Sequence, residues 1–464
     1  MANENVEYSE NIDLVRGDAK TAIKKLAIPM ILSMLIMMVY NVVDSIWVSG
    51  LGADALAALG FITPIYTIVI GFGNGIGAGV NSLIARYIGA ADFEKGGNAG
   101  MHSIVLSIVL SIFVPIIILL FLKDILILMG ASSVLDLTLQ YGYYIIIGSF
   151  SFLGPGIIAA IFRAEGDIKR SMIPLVVTAV LNMILDPIFI YTLNMQMAGA
   201  AIATVLSGTV GLLMMLYWIF VKKDTYLTLN RQIYNRSMEI YKDILIVGIP
   251  ASIEQLIMSA LTIIVNSLLV IVSGTTAVAV YTATWRLMSI GVIPTIGIAT
   301  AAMTVAGAAY GAKNWNKLNT ACSYSVRLGF IISLIITVLL FIFADYIAVI
   351  FAYSSTSQHL APLIANAIRI LCFYILPIPF GATAGNIFQG LGKGPMSLSL
   401  TAIRALFCTA IFATLFGLIF GLGENGVYWG IVIGDIIGSL IAYSVIKLYI
   451  KKIKGHWEKA ETTA

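Results

Sequence analysis

Residues 26–50 read LAIPMILSMLIMMVYNVVDSIWVSG, an apolar stretch in which the only charged residue is Asp44. A helix needs about 20 apolar residues to cross the hydrocarbon core of a bilayer, so this stretch predicts a membrane-spanning helix. The polar segment before it, residues 1–20, lacks the basic cap and the short apolar core of a cleaved signal peptide. We therefore expect residues 26–48 to remain in the membrane as the first span.

The same pattern recurs along the whole chain. Of its 464 residues, 59% are hydrophobic and only 11% are charged, whereas about a quarter of the residues of a soluble protein are charged. This composition argues against a soluble enzyme, a disordered scaffold and a nucleic-acid binder. The predicted fold class is an all-α polytopic membrane protein with twelve transmembrane helices. The predicted spans are residues 26–48, 56–80, 100–122, 138–162, 171–193, 198–221, 244–271, 277–308, 322–344, 361–389, 397–420 and 427–449.

Matching landmarks divide the chain into two halves. Ile28-Pro29 at the start of span one recurs as Ile249-Pro250 at the start of span seven, and Val48-Ser49-Gly50 recurs as Val272-Ser273-Gly274. Six spans in each half make the repeat parallel, which is typical of transporters built from two bundles. We therefore predict two pseudo-symmetric six-helix bundles. The predicted divisions are an N-terminal lobe over residues 1–221, a cytoplasmic linker over 222–242, a C-terminal lobe over 243–450 and a cytoplasmic tail over 451–464.

The basic residues predict the orientation in the membrane. Nearly all of them lie at the termini or in loops after even-numbered spans, as Lys95, Lys169 and Lys317 do. Loops rich in Lys and Arg stay in the cytoplasm. We expect a multi-pass protein of the cell membrane with both termini in the cytoplasm. The net charge of +4 then reflects topology and not an anionic partner such as a nucleic acid.

Charged residues inside spans are the sharpest functional signal, because each one in the bilayer needs a partner, a wet cavity or a function. In the first half these residues are Asp44 and Asp186. Asn182 lies one helical turn before Asp186, and the turn near Met195 brings Thr204 to about the same depth. Two carboxylates, an amide and a hydroxyl suit H⁺ or Na⁺. Bonding between helices is the alternative role for these polar groups.

Glu254 is the corresponding signal in the second half, near the middle of span seven. It is either a second coupling carboxylate or the ion-pair partner of an arginine such as Arg286. Asp435, near Arg404 or Arg369, is expected to be structural because buried ions usually pair.

Catalytic and metal-binding motifs are missing from the sequence. It contains no HExxH or GxSxG pattern, and its three cysteines and three histidines are scattered. An odd number of cysteines without a close pair favours neither a disulfide framework nor a zinc site. We predict no enzyme activity, no catalytic residue, no cofactor and no certain metal site. Na⁺ at Asp44, Asn182, Asp186 and Thr204 is the one metal ion that these residues suit.

Several segments resemble the multidrug and toxic compound extrusion (MATE) family. They are residues 28–58, with Asp44 at their centre, residues 162–187, which end in Asn182 to Pro187, and residues 386–394, NIFQGLGKG. The resemblance covers essentially the whole chain. It implies two six-helix lobes around a central cleft, and the exchange of cationic amphiphiles for inward H⁺ or Na⁺.

The resemblance also implies roles for individual residues. The type that the chain resembles is archaeal or bacterial, DinF-like or MepA-like. In members of the archaeal and DinF-like type the cation site lies in the N-terminal lobe, and the matching positions here are Asp44, Asn182, Asp186 and Thr204, with Tyr40 nearby. Glu254 matches an acidic position of other branches. Those branches also have an aspartate in span ten, where this chain has Gly381, Ala382 and Thr383, which favours the N-terminal site. We place Met37, Tyr40, Glu254 and Gln255 at the substrate cavity, although methionines and aromatic residues also fill ordinary cores.

The predicted function is secondary antiport that exports organic cations in exchange for H⁺ or Na⁺, by a monomer in the bilayer. A lipid-linked oligosaccharide flippase of the same superfamily is the main alternative, because Arg286, Arg369 and Arg404 would suit anionic headgroups. A channel or a membrane enzyme is disfavoured because neither a filter nor a catalytic motif is present.

Overall fold

The computed structural model describes residues 6–223, 225–230, 232–351 and 358–462, and almost all of them lie in helices. Within these residues, twelve helical spans are long and apolar enough to cross a membrane. Each predicted span overlaps one of the twelve, so the prediction of an all-α membrane protein is confirmed. The spans are Ala19–Ser49, Asp54–Gly89, Phe93–Leu128, Ala131–Ala164, Ile168–Thr192, Gln196–Val221, Met238–Ser273, Thr275–Gly311, Trp315–Ile342, Gln358–Ile375, Gly394–Ile419 and Gly423–Lys459.

The helices are numbered in chain order, and several spans consist of more than one helix. Those of the first half are α1 Val6–Arg16, α2 Ala19–Ser49, α3 Ala53–Gly89, α4 Phe93–Leu128, α5 Leu135–Ile147, α6 Phe150–Ala164, α7 Ile168–Pro187 and α8 Gln196–Leu216. Those of the second half are α9 Met238–Ser273, α10 Thr275–Gly311, α11 Trp315–Ile342, α12 Ala344–Phe351, α13 Ala361–Leu371, α14 Ile378–Gly390, α15 Gly394–Ala402, α16 Ala410–Thr414 and α17 Gly423–Thr462.

The chain forms two compact units. The first comprises the described residues up to Gly17 together with Leu32–Ser252, and the second comprises Asp18–Ile31 together with the residues from Ile253 onward. The predicted lobes, residues 1–221 and 243–450, are defined by span order and stay a prediction. Helix α17 continues to Thr462, so most of the predicted tail 451–464 is helical.

Two spans predicted as continuous helices are interrupted at corresponding points of the repeat. Span four divides into α5 and α6 at Gly148-Ser149, and the predicted span 361–389 divides before α14 at Leu376-Pro377. Pro377 and Pro379 lack the backbone N–H that a continuous helix needs, which explains the second break. The predictions of one continuous helix over residues 138–162 and over residues 361–389 are therefore both wrong, and the two breaks lie at matching points of the repeat.

Glycines on α3 allow another helix to approach closely. A Cβ added at Gly75 would lie 2.6 Å from the backbone nitrogen of Ser252 on α9, and one at Gly79 would collide with the backbone oxygen of Ile244. Small residues spaced four apart are typical of such contacts in membranes. The packing of α3 on α9 therefore requires glycine at these positions.

We expect Gly79→Val to lower the free energy of unfolding by about 1–3 kcal/mol, the usual effect of overpacking. The colliding atoms belong to the backbone of α9, which has no flexible side chain to move aside. Thermal unfolding of the purified protein in detergent measures the effect. Gly60→Val on the same helix is the matched control, since a Cβ there meets open space. Equal losses in both variants would contradict this account.

The connection between the halves is docked on the first unit. Glu165, in the turn between α6 and α7, is buried and accepts hydrogen bonds from the backbone N–H groups of Leu227 at 3.0 Å and Tyr226 at 3.4 Å. Burial raises the pKa of the Glu165 carboxyl to about 8. The turn thus holds the linker through one titratable side chain.

Two side chains of α4 hold the far end of the same connection. Asn98 exchanges two hydrogen bonds of 3.1 Å with the backbone of Asn235. His102 is fully buried, and its Nε2 accepts a hydrogen bond of 3.0 Å from the backbone N–H of Ser237. The segment predicted as a linker is therefore an ordered part of the first unit at both ends.

We expect the protein to lose stability as the pH rises towards and through about 8, the pKa that Glu165 has in the folded state. Above the ordinary glutamate pKa the unfolded chain has released this proton, whereas the folded protein still binds it. The contribution of Glu165 to stability is therefore complete below the ordinary glutamate pKa and is lost as the pH rises through about 8. Glu165→Gln keeps an acceptor oxygen and is neutral at every pH. Unfolding temperatures of both proteins at about pH 5.5 and about pH 9 should show a smaller decrease for the variant; identical decreases would contradict the assignment.

Candidate cation-binding site

Helices α7 and α8 bring three of the predicted site residues into contact. Asn182 and Asp186 are fully buried, one turn apart on α7. The Asn182 amide nitrogen donates to Asp186 Oδ1 at 3.1 Å and to the Thr204 hydroxyl on α8 at 3.2 Å. The short turn between the helices, residues 193–195, places Thr204 at this level as predicted.

Asp44 on α2 completes the group. Its carboxyl is within hydrogen-bond range of the Asp186 carboxyl, and a bond between two carboxyl groups requires that one of them carry a proton. Among the described residues, no donor reaches Asp44 Oδ1, Asp186 Oδ2 or Asn182 Oδ1, although all three atoms are buried. Buried acceptors without a donor are costly, at about 1–3 kcal/mol each. These oxygens therefore form a set that a proton or a small cation would satisfy.

Tyrosines surround the pair, and the sequence identified only one of them. Tyr40 of α2, Tyr66 of α3 and Tyr141 of α5 are all close enough to Asp44 for electrostatic interaction, and the Tyr141 hydroxyl lies near Thr204. Tyr141 belongs to a run in which Tyr143 and Tyr144 are exposed. The helical period places Tyr141 on a different face of α5 from Tyr143 and Tyr144. No charge or motif in the sequence, however, indicates that Tyr141 lies at the site.

The backbone after Asp186 departs from α-helical geometry. Pro187 ends α7, and Ile188–Thr192 forms one π-helical turn, a feature frequent at functional sites. Within this turn Tyr191 donates a hydrogen bond of 2.5 Å to the backbone oxygen of Trp47 on α2. The bond joins the helix that carries Asp44 to the one that carries Asp186. Pro187 therefore lies where the α-helical geometry ends, and the turn that follows it is bonded to α2.

Glu254 lies in a separate polar group of the second unit. Both its carboxylate oxygens accept from Gln389 Nε2 at 3.3 Å, and Ser397 and Thr401 also contact it. The charged residue near it is Arg404, whereas Arg286 is exposed and is not among its contacts. The suggested Glu254–Arg286 ion pair is therefore wrong, because the partners come from α14 and α15.

The other span arginines have acidic partners. Arg404 pairs with Asp435 at 3.3 Å, with both side chains largely buried, and Arg369 pairs with Asp345 at 2.5 Å. Asp435 thus has the structural role that was expected for it.

The predicted substrate-cavity residues are divided between the units. Met37 and Tyr40 belong to the first unit, where Met37 is half-buried and Tyr40 is buried beside the acidic pair. Glu254 and Gln255 belong to the second, where the Gln255 side chain is exposed. Their contact with substrate stays a prediction.

Twelve helical spans, an internal repeat and a buried group of oxygen ligands define a polytopic membrane transporter. The sequence matches the MatE family over residues 29–188 and 250–415, which is more than half of the chain. The chain belongs to the MatE family. It is 24% identical over 455 residues to the multidrug export protein MepA of Staphylococcus haemolyticus (strain JCSC1435), covering 96% of each protein.

Solved structures give closer matches. The chain is 39% identical to a MATE protein crystallised in complex with MaL6, with a TM-score of 0.94, over 96% of this chain and 99% of that one. It is also 39% identical to a multidrug resistance MATE family transporter of the MOP superfamily in an outward-facing conformation, with a TM-score of 0.93 and the same coverage. The family and the twelve-helix fold are therefore those that the sequence predicts.

We expect Thr204→Val to lower the free energy of unfolding by about 1–3 kcal/mol, because the Asn182 amide loses an acceptor inside an apolar bundle. Valine has nearly the same shape, so the change removes the hydroxyl without opening a cavity. Thr204→Ser keeps the hydroxyl and is the control. Thermal unfolding in detergent measures both variants, and a valine variant as stable as the wild type would contradict the role given to the hydroxyl.

Proposed function

We propose that this protein exports cationic, amphiphilic organic compounds from the cell by antiport, in exchange for H⁺ or Na⁺. The observation that carries the proposal is the buried group around Asp186, where three oxygens of Asp44, Asn182 and Asp186 have no donor among the described residues. The MepA relatives are multidrug export proteins, which supports the choice of exported compounds.

The coupling ion would act on the two helices that carry the acidic pair. When Asp44 on α2 and Asp186 on α7 are both ionised, they repel one another at close range. A proton or Na⁺ between them removes the repulsion and stabilises the arrangement in which these helices are in contact. A ligand shifts a conformational equilibrium only by its difference in affinity for the two states, and this site supplies such a difference.

The ligand set is compatible with either ion. A proton needs only the facing carboxyl oxygens, whereas Na⁺ would also use the Asn182 carbonyl and the Thr204 hydroxyl, since Na⁺ is a hard cation that takes oxygen ligands. Among the described residues there is no group of three or more His, Cys, Asp or Glu side chains that would hold a metal ion. The neutral oxygens are therefore essential to a Na⁺ site.

The flippase alternative is not favoured. It depended on Arg286, Arg369 and Arg404. Two of these three arginines, Arg404 and Arg369, have carboxylate partners. The relatives include multidrug export proteins and a multidrug resistance transporter. An anionic lipid-linked sugar therefore has less support as substrate than an organic cation.

Location and orientation are part of the same proposal. The chain is a multi-pass membrane protein. We place it in the cell membrane as a monomer, with both termini in the cytoplasm, because the basic residues gather at the termini and at the loops after even-numbered spans.

We expect Asp186→Asn to abolish both drug resistance in a sensitive host and dye efflux from vesicles, because it removes a carboxylate of the coupling site while keeping its shape. Vesicle assays should impose a pH gradient and a Na⁺ gradient separately. The gradient that drives efflux in the wild type identifies the coupling ion.

Asp136→Asn is the matched control, since Asp136 is an exposed carboxylate of the same unit. It should leave efflux unchanged, and both variants should reach the membrane at wild-type levels. Wild-type efflux by Asp186→Asn would overturn the coupling role, and ion current without exchange would revive the channel alternative.

A further inference from the structure

The second unit has a basic pocket at the end of its longest helix. The pocket has a volume of about 510 Å³, and the residues that define its chemistry are Lys313, Asn314, Trp315, Lys454 and Trp457. It lies between the turn that joins α10 to α11 and the last turns of α17. Because these residues flank the apolar parts of three spans, we expect the pocket to open at the membrane surface.

Specific contacts hold the walls of the pocket. Trp315 Nε1 donates to the backbone oxygen of Ile450 at 3.2 Å, which fixes the ring against α17. Lys454 Nζ lies 4.5 Å from the centre of the Trp315 ring, and the Trp457 ring packs on Tyr310 with centroids 5.7 Å apart. A cation and two indole rings are therefore positioned together.

The corresponding surface of the first unit is covered. Phe93 begins α4 as Trp315 begins α11, and the turns before them match, with Ala91 at φ 60° and Lys313 at φ 51°. In the first unit the linker lies on this surface: the Tyr226 ring packs on Phe93 at 5.2 Å, and Leu227 packs on Gly96.

Among its described residues, the second unit has no counterpart of the Glu165 contact. Glu165 holds the linker by its backbone N–H groups, but the matching position in the second half is Leu391, next to Gly392 as Glu165 is next to Gly166. Helix α17 runs straight on to Thr462 instead of folding back. No segment of the described chain fills this pocket. Its two lysines, Lys313 and Lys454, favour an anionic ligand over a protein backbone.

We propose that the pocket binds the headgroup of an anionic phospholipid. Lys313 and Lys454 would hold the phosphate, while Trp315 and Trp457 would pack against the glycerol and the first carbons of the acyl chains. Tryptophan is enriched at this depth of a bilayer, and basic clusters beside a membrane span attract anionic lipids. The single carboxylate in the lining, Glu458, pairs with Lys454 at 3.5 Å in an exposed position, where a salt bridge is weak enough for a phosphate to replace it.

The test measures binding of phosphatidylglycerol to the full-length protein in detergent, with phosphatidylcholine as the neutral comparison. Brominated phosphatidylglycerol should quench tryptophan fluorescence at lower concentrations than brominated phosphatidylcholine. The double variant Lys313→Gln/Lys454→Gln should weaken the apparent affinity for phosphatidylglycerol about thirtyfold, which corresponds to about 1 kcal/mol for each lysine.

Matched controls separate a built site from a general effect of charge. Lys451→Gln/Lys452→Gln removes two exposed lysines of the same helix that do not line the pocket, and should weaken binding at most about threefold, as a screened surface charge does. Lys313→Arg/Lys454→Arg should restore most of the affinity. The double variant Trp315→Phe/Trp457→Phe should remove the part of the quenching that is specific for phosphatidylglycerol.

Two results would overturn the proposal. One is equal affinity for phosphatidylglycerol in the wild type and in Lys313→Gln/Lys454→Gln, with both proteins folded in phosphatidylcholine. The other is displacement of phosphatidylglycerol by inorganic phosphate at the same concentration, which would make this a site for a free anion.

Discussion

The structure depends on one constraint, which is that carboxyl groups inside a membrane protein must have partners. Placing a charged side chain at the bilayer centre costs roughly 2.5–3.5 kcal/mol on insertion scales. The first unit buries Asp186 completely beside Asp44, and the hydrogen-bonding neighbours of Asp186 are the Asn182 amide and the Asp44 carboxyl. Among the described residues, neither carboxylate has an ion-pair partner. The negative charge of the pair is therefore compensated only when a proton or another cation is bound. This property would suit the pair to couple ion binding to transport.

The surrounding helices are arranged so that this group cannot relax away. Pro187 and the π-helical turn after it end α7 directly beside Asp186, and Tyr191 of that turn is bonded to the backbone of α2. Farther along the same bundle, Gly79 lets α3 approach α9 so closely that backbone touches backbone. Helices packed this closely have few alternative positions, because packed interfaces switch between discrete states and do not deform continuously. A change in charge at the acidic pair would then move whole helices.

The sequence predicted the features that depend on hydropathy and on the helical period, because both can be read from each residue and its near neighbours. Hydropathy located twelve spans, and the four-residue spacing of Asn182 and Asp186 placed both on one face of α7. It was uninformative where a choice depends on tertiary contacts. Tyr141 faces the acidic pair while Tyr143 and Tyr144 are exposed, and Glu254 takes Gln389 as partner although the two lie far apart in sequence. The docking of the linker also escaped prediction, because a polar loop has no hydropathy pattern and its backbone donors are invisible in a sequence.

The two halves show how one repeated scaffold supports different chemistry. Both interrupt a central span at the same point and begin the next helix pair with a turn of the same geometry. In the first half Asp44 and Asp186 have no basic partner among the described residues, whereas the buried Asp167, in the turn before α7, pairs with Arg170 at 3.2 Å. In the second half Asp435 is neutralised by Arg404, which also lies near Glu254, and Gln389 donates to the Glu254 carboxylate. Carboxylates that already have such partners gain little from binding a further cation. A bound cation would therefore stabilise the acidic pair of the first half more than the acidic groups of the second half. The asymmetry between the two acidic groups therefore lies in the side chains that surround them.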